Sequence, residues 1–364
     1  MLLLMGGAGV VTALADMFGL PGLSRQMRHA DWYGLHVWDL VFPTFLFLAG
    51  VSFPFSCAKS RENGKSDASI ALRILVRCVW LVVFGLVAQG GLLRLHWQTD
   101  LRVWSVLGRI GIAWACAAWL YLVCGIRTRI VISAMVLAGV YAATLFLVAP
   151  DVEALIESGK HEAIVAQLGC GPFSPVGNFG CWMDRTLTAG HIYKPLFDPE
   201  GFAGVLPAVV TALLGIFAGE IVRKGGSSAT AGKACRLCAC GVACLAVGYA
   251  ISPVCPLVKA LWSPSYVLVA GGYAFILFSL FYWLIDARGC RRGTFFFKVV
   301  GMNSLTIYLL QHFVDFSRIR DFLFGGIVSH CPVGVAPLVS ALGYVACCWL
   351  LLFFLYRKQV FLRV

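Results

Sequence analysis

Residues 27–57 read MRHADWYGLHVWDLVFPTFLFLAGVSFPFSC, in which a polar segment runs directly into a long apolar one. The apolar part, 35–57, is long enough to cross a bilayer as a helix. His29 and Trp32 stand just before it, and Asp39 lies near its entrance. An ionisable group at membrane depth is costly and therefore indicates a functional site. Spacing alone leaves one alternative open, which is a loop histidine beside interfacial tryptophan anchors.

The composition of the whole chain is that of an integral membrane protein. Of its 364 residues, 60% are apolar and 13% are charged, whereas soluble proteins have about 45–50% and about 25%. The net charge of +12 comes from short basic clusters between apolar runs, which is the pattern of cytoplasmic loops. Because no basic and aromatic nucleic-acid module is visible, we expect a lipid bilayer as partner and no nucleic acid.

The apolar runs predict an all-α, polytopic membrane protein of about ten transmembrane helices. We expect these helices to form a single domain over residues 1–364, with one long extracytoplasmic loop at about 150–204. The predicted helices are 2–20, 35–57, 70–92, 106–124, 130–148, 205–222, 237–251, 266–285, 299–316 and 335–356.

The distribution of lysine and arginine predicts the orientation of the chain. Basic residues cluster in alternate loops, which the positive-inside rule places in the cytoplasm. His29 and the long loop then face outward, and both termini lie inside. The short loops and the lack of a recognisable signal peptide favour a bacterial inner (plasma) membrane. The basic clusters include Lys59, Arg61, Lys65, Arg127, Arg129, Arg223, Lys224, Arg291, Arg292 and Lys298.

The chain contains fifteen cysteines, and two groups of them bear on function. Four lie in one apolar run without a histidine, so we expect close helix packing there and no metal site. Cys170 and Cys181 both lie in the outward loop, where a disulfide is open if the compartment is oxidising. The four in the apolar run are Cys235, Cys238, Cys240 and Cys244.

Several motifs of this chain resemble those of one known family. The pattern H-A-x-W-x-G-L-x-x-x-D-L-V-F-P at 29–43 is similar to the signature of the heparan-alpha-glucosaminide N-acetyltransferase-like membrane proteins. Further similar motifs follow in the family's order and extend the resemblance over most of the chain. They are VLGRIG at 106–111, FDPEG at 197–201, LWSPSYV at 261–267 and GMNS at 301–304.

The resemblance implies a membrane acyltransferase. An acetyl group would pass from cytoplasmic acetyl-CoA to an amino sugar or glycan on the outer side, without a metal. In the family the histidine of the signature is catalytic, which implies that role for His29. Histidine changes charge near neutral pH and can act as a base or as a nucleophile, and this choice stays open. We expect Asp39 to orient the site, although the asparagine that supports the histidine in lysosomal members has no counterpart at 5–9.

Eight residues are candidate substrate contacts, and each has a structural alternative. Arg102 and Arg109, seven residues apart and expected on one helical face, can hold an anion or pair with Asp39 and Asp184. The acids of the FDPEG motif can cap a helix or contact a sugar. The intramembrane asparagine and histidine can join helices or contact substrate. The candidates are Trp32, Arg102, Arg109, Asp184, Asp198, Glu200, Asn303 and His312.

The coenzyme phosphates would need a basic cytoplasmic rim. Lys59, Arg61, Arg292 and Lys298 are candidates, although membrane topology alone also places basic residues there. A transporter or flippase for a sugar-linked substrate is the alternative function, but we find no internal repeat typical of such folds. A non-catalytic membrane partner is a third reading. The sequence leaves the acceptor, the acyl chain and a homodimer open.

Overall fold

The computed structural model describes residues 1–89, 102, 104–188, 192–224 and 230–362. Within these ranges the secondary structure is helical, with isolated β-bridges and no extended strand, so the all-α prediction is confirmed. The α-helices are α1 (Ala8–Met17), α2 (Pro21–Gln26), α3 (Val41–Glu62), α4 (Asp67–Ala88), α5 (Val106–Val123), α6 (Ile126–Phe146), α7 (Val152–Glu157), α8 (Glu162–Leu168), α9 (Phe179–Leu187), α10 (Val205–Arg223), α11 (Thr230–Ile251), α12 (Pro264–Tyr282), α13 (Thr294–Met302), α14 (Ser304–Phe313), α15 (Phe316–Ser329) and α16 (Ala336–Arg357).

Eight helical segments of the described residues are long and apolar enough to cross a membrane. A 3₁₀ turn, Val37–Leu40, leads into the α3 span, and a π-turn, Trp283–Ala287, extends the α12 span. The spans are Val37–Glu62, Asp67–Ala88, Val106–Val123, Ile126–Phe146, Val205–Arg223, Thr230–Ile251, Pro264–Ala287 and Ala336–Arg357.

Two of the ten predicted helices are not continuous. The run at 2–20 contains a π-turn, Leu3–Gly7, followed by the short helix α1, and Met5 and Gly6 have non-helical backbone angles. The run at 299–316 is interrupted at Asn303, between α13 and α14. Neither segment is among the candidate spans of the described residues. Apolar length did not reveal these breaks, because hydropathy is insensitive to a single non-helical residue.

Hydroxyl caps begin several of the long helices. The side chains of Ser66, Ser105 and Ser263 accept hydrogen bonds from the backbone N–H groups three residues later, at the starts of α4, α5 and α12. Pro264 follows the last of these caps, at a position where a missing N–H costs nothing. These local signals explain why α5 begins at Val106, after Arg102.

The chain divides into two compact units. Unit 1 comprises 1–30, 36–41 and 289–364, and unit 2 comprises 31–35 and 42–288. The centre of unit 2 is a close crossing of α3 and α10. A Cβ on Gly215 would lie 1.9 Å from the carbonyl oxygen of Phe47, and one on Gly50 would lie 2.2 Å from that of Ala212. Only glycine permits this approach, which is the small-residue packing typical of membrane helices.

A buried ion pair joins α6 to α10 in unit 2. Nη2 of Arg129 lies 2.9 Å from Oε1 of Glu220, and both side chains are at least nine-tenths buried. The guanidinium also lies over the ring of Tyr121. We expected Arg129 in a basic cytoplasmic loop. Its side chain is instead buried in the protein, where the carboxylate of Glu220 stabilises its charge.

Unit 1 packs α1 and α13–α16 around a core that includes Met5, Ile307 and Leu352. The break at the start of the chain is held by Gln311, whose Nε2 donates to the carbonyl oxygen of Leu4 at 3.0 Å. Gly6 has φ +99°, and a Cβ there would lie 2.7 Å from the ring of Tyr344. A backbone carbonyl released inside an apolar region needs such a partner.

All fifteen cysteines lie in the described residues as free thiols. The disulfide left open between Cys170 and Cys181 is therefore not formed in this structure. In the described part of the chain, no group of His, Cys, Asp and Glu residues is arranged to hold a metal ion.

Candidate active site

A buried carboxylate holds one nitrogen of the signature histidine in unit 1. Nδ1 of His29 lies 2.7 Å from Oδ1 of Asp39. The Asp39 side chain is 1% exposed, whereas that of His29 is 56% exposed. The other carboxylate oxygen accepts from the backbone N–H groups of Ala30 and His36, each at 3.1 Å. Asp39 thus fixes both the imidazole and the loop that carries it.

The local sequence explains why Asp39 is placed there. His36 precedes the 3₁₀ turn Val37–Leu40, and Asp39 is the third residue of that turn, so its carboxylate reaches back to the free N–H of His36 in a capping box. The ring of His36 donates from Nδ1 to the carbonyl oxygen of Arg28 at 3.0 Å. Gly34 has φ +107°, a conformation that favours glycine and lets the loop turn.

A tryptophan that the sequence analysis did not single out defines the tautomer of the histidine. Nε1 of Trp38 donates to Nε2 of His29 at 3.1 Å. Because an indole nitrogen is only a donor, Nε2 carries the lone pair and Nδ1 carries the proton that points to Asp39. Trp38 stands at a variable position of the quoted signature, so the only sequence signal was its nearness to Asp39.

Trp32 packs within unit 2, to which residues 31–35 belong. Its indole ring is 5% exposed, and Nε1 donates to the carbonyl oxygen of Phe173 at 2.8 Å. The ring packs edge-on against Phe197, with centroids 4.7 Å apart, and Gly34 N–H donates to Leu257 O at 2.9 Å. The polar atom of Trp32 is thus already bonded inside the protein, and a substrate contact of this residue stays a prediction.

The FDPEG motif forms an ion cluster with Arg102 in unit 2. Nε of Arg102 donates to Oδ2 of Asp198 at 2.8 Å, and its Nη2 contacts both Asp198 and Glu200. The guanidinium lies over the ring of Tyr193 at 4.8 Å. Two expectations are corrected by this cluster. The acids do not cap α10, and Arg102 lies before α5, so it shares no helical face with Arg109.

Arg109 is completely buried at the start of α5. Its Nη2 donates to the carbonyl oxygen of Gly201 at 2.7 Å, and its guanidinium lies 5.2 Å from the ring centroid of Trp262. A Cβ on Gly204 would lie 2.6 Å from Nη2. Trp262 adopts φ +54°, a strained angle for a bulky residue, and no sequence signal predicted this conformation.

Asp184 connects α9 to the residue that follows the FDPEG motif. Its Oδ1 accepts from the backbone N–H of Phe202 at 2.8 Å, and burial raises the pKa of this carboxyl to about 6. Asp184 makes no direct ion pair with Arg102 or Arg109, although the positive charge of Arg109 opposes the rise in its pKa. The neighbouring Arg185 bonds to Asp151 at 2.7 Å. Asp39 pairs with His29.

The two candidates of unit 1, Asn303 and His312, have different environments. Asn303 is 1% exposed and occupies the N-cap position of α14 without a side-chain cap hydrogen bond. His312 is exposed on α14, and its Nδ1 donates to the carbonyl oxygen of Tyr308 at 2.8 Å. This bond to its own helix gives His312 a structural partner.

The predicted basic residues lie at helix ends. In unit 2, Lys59 and Arg61 are exposed at the end of α3, and Arg61 pairs with Asp67 at 2.9 Å. In unit 1, Arg292 is exposed just before α13, and Lys298 is exposed on that helix. Their exposure leaves them accessible to an anionic ligand, whereas Arg61 already has a carboxylate partner.

The fold and this site define a polytopic, all-α membrane protein with a histidine oriented by a buried carboxylate. No protein-family profile matches the chain. The chain is similar to heparan-alpha-glucosaminide N-acetyltransferase of Homo sapiens, with 27% identity over 93% of this chain and 56% of the relative. It is also similar to the Mus musculus protein of the same name, with 26% identity over the same shares. This similarity confirms the resemblance seen in the motifs, because both relate the chain to heparan-alpha-glucosaminide N-acetyltransferase-like proteins. The chain spans about half the length of these curated relatives.

Proposed function

We propose that this protein is a membrane acetyltransferase that moves an acetyl group from acetyl-CoA to the amino group of an amino sugar or glycan. The observation that carries the proposal is the bond between His29 and Asp39, which leaves Nε2 of a neutral imidazole unprotonated. The names of the curated relatives support the reaction class. The proposed setting is a bacterial inner membrane, with both termini and the donor on the cytoplasmic side.

The chemistry needs one proton acceptor at the attacking amine. Nε2 of His29 takes a proton from the amine while the amine nitrogen forms a bond to the thioester carbonyl carbon. The C–S bond then breaks, and the coenzyme leaves as a thiolate. In the alternative course, Nε2 first carries the acetyl group itself and coenzyme A leaves before the amine attacks. In both courses Asp39 stabilises the positive charge that develops on the ring.

The remaining candidates are assigned by their charge. In unit 2, three carboxylates stand beside two guanidiniums, namely Asp184, Asp198 and Glu200 with Arg102 and Arg109. We propose that the carboxylates of this cluster contact the amino group of an amino sugar, the proposed acceptor. The proposed contacts of the coenzyme phosphates are Lys59 and Arg61 in unit 2 or Arg292 and Lys298 in unit 1.

Transfer of radiolabelled acetyl groups to glucosamine tests this function. The parent protein, purified in detergent, should acetylate the sugar, and His29→Ala should lower the rate by about 10²–10⁴-fold because general-base catalysis is lost. His330→Ala is the matched control, since His330 is exposed and bonds to a carbonyl of its own helix. Absence of transfer by the parent protein would contradict the proposal and favour transport of a sugar-linked substrate.

A further inference from the structure

A single residue interrupts the apolar run at 299–316. Asn303 follows α13 and occupies the N-cap position of α14, with φ −120° and ψ 26° and no side-chain cap hydrogen bond. Its N–H donates to Val300 O at 3.3 Å, and its carbonyl oxygen accepts from Ile307 N at 3.0 Å. The N-terminus of α14 therefore opens beside the fully buried Val299 and Ile307. The first N–H groups of a helix lack an intrahelical partner and carry partial positive charge.

The side chain of Asn303 adds a second donor at this point. It is 1% exposed, and its Oδ1 faces the hydroxyl of Thr306 at 3.5 Å. Its Nδ2 is buried and has no hydrogen-bond partner among the described residues. A buried amide N–H without an acceptor is unfavourable. An oxygen atom of a bound ligand would supply the missing acceptor.

The charge along α13 indicates which ligand fits. Arg291 and Arg292 precede the helix, and Lys298 lies on it, five residues before Asn303. At 1.5 Å per residue, this separation is roughly 8 Å along the axis. A ligand with anionic phosphates at one end and carbonyl groups along an extended arm matches this order of basic residues and unpaired amide. Coenzyme A thioesters have that chemistry.

We propose that the break at Asn303 binds a carbonyl oxygen of the acyl-CoA arm through Nδ2 and the N-terminus of α14. This inference rests on the proposed function, since it assigns the donor side of that reaction. Two carbonyl types share the required chemistry, namely the thioester and the amides of the pantetheine arm. The interrupted helix would then resemble the discontinuous helices of transporters, in which the N-terminus of a half-helix points at a ligand oxygen.

Equilibrium binding of labelled acetyl-CoA and free coenzyme A to the purified full chain tests this site. Asn303→Asp keeps a residue type that is favoured at the N-cap position but replaces the amide donor with an acceptor that repels the ligand oxygen. The dissociation constant should rise about tenfold or more, as expected for a lost buried hydrogen bond. Asn303→Ser, which also caps a helix well, is the second variant and should weaken binding in the same direction.

Asn178→Asp is the matched control. Asn178 is also a buried asparagine at an N-cap position, at 3% exposure, but its Oδ1 accepts from the N–H of Cys181 and its Nδ2 donates to Pro172 O at 2.7 Å. This variant should lower the thermal unfolding midpoint and leave both dissociation constants unchanged. A purely structural role for Asn303 would make its variants behave in the same way.

The pattern of binding separates the outcomes. Weakening for acetyl-CoA alone supports contact with the thioester carbonyl, and weakening for both ligands supports contact with the pantetheine amides. If the parent protein binds the coenzyme and the folded Asn303 variants bind equally well, the inference is overturned while the proposed function stands. If the parent protein binds neither ligand, the proposed function itself fails.

Discussion

The indole nitrogen of Trp38 lies 3.1 Å from Nε2 of His29, the nitrogen opposite to the one held by the buried carboxylate of Asp39. The two neighbours fix the ring as a neutral imidazole with its lone pair covered by an N–H donor. Since a base must accept a proton at that lone pair, the contact with Trp38 has to open before reaction. The observed arrangement is thus a resting state of the proposed base.

Replacing Trp38 by phenylalanine should raise the rate of acetyl transfer about two- to tenfold. The aromatic ring is kept while the hydrogen bond that covers Nε2 is removed, and such a bond is worth about 0.5–1.5 kcal/mol. Single-turnover rates with acetyl-CoA and glucosamine check this expectation. Trp119→Phe, on an exposed side chain, is the control, and a fall in the rate of Trp38→Phe alone would show that the indole assists the reaction.

Replacing Asp39 by asparagine should lower the rate by about 10²–10⁴-fold while the protein remains folded. The amide cannot stabilise a positive imidazole and favours the wrong tautomer, as in other histidine–carboxylate pairs. The rate constant and the thermal unfolding midpoint should be measured together. Asp16→Asn, at an exposed position on α1, should change neither, and an active Asp39→Asn protein would remove Asp39 from the mechanism.

The pKa of Asp184, raised by burial from 3.8 to about 6, predicts a pH-dependent stability. The folded state binds the proton more tightly than the unfolded state, so this group favours folding below pH 4. That contribution is lost as the pH rises through about 6, with a total of about 3 kcal/mol. Thermal midpoints of the parent protein should therefore fall between pH 4 and 7 more steeply than those of Asp184→Asn. Parallel curves would contradict the assignment.

Replacing Gly204 by alanine should destabilise the protein by about 1–3 kcal/mol, the usual cost of overpacking. The added Cβ would lie 2.6 Å from Nη2 of Arg109, although the backbone angle φ −73° is ordinary. Gly232→Ala is the matched control, because a Cβ there meets open space within α11, and it should stabilise the helix by up to about 1 kcal/mol. Thermal unfolding in detergent measures both variants.

The sequence predicted the class of fold and the central pair of the site. Runs of apolar residues predict membrane helices because the length of a helix that spans the bilayer is fixed. The family signature selected His29 and Asp39, and the short loop between them makes their contact a local event. The capping of a 3₁₀ turn by Asp39 is likewise a matter of a few neighbouring residues.

Partners distant in the chain were beyond sequence reasoning. Arg102 pairs with acids almost a hundred residues away, and Arg129, assigned to a cytoplasmic loop, pairs with Glu220 inside unit 2. The sequence does not distinguish basic residues that are exposed from those that are buried, because their exposure depends on which helix packs beside them. The break at Asn303 escaped prediction for a similar reason, since the flanking residues continue the apolar pattern.

The sequence by itself therefore determined that this chain crosses a membrane as helices, and which histidine and carboxylate stand together. Composition and local spacing suffice for those features, because the bilayer imposes helix length and a short loop limits the separation of its ends. Only the tertiary structure decided the tautomer of His29, the buried hydrogen bond of Trp32 and the unpaired amide of Asn303. Each of these features depends on whether a polar atom has a hydrogen-bond partner, which is determined by how the elements of the fold pack around that atom.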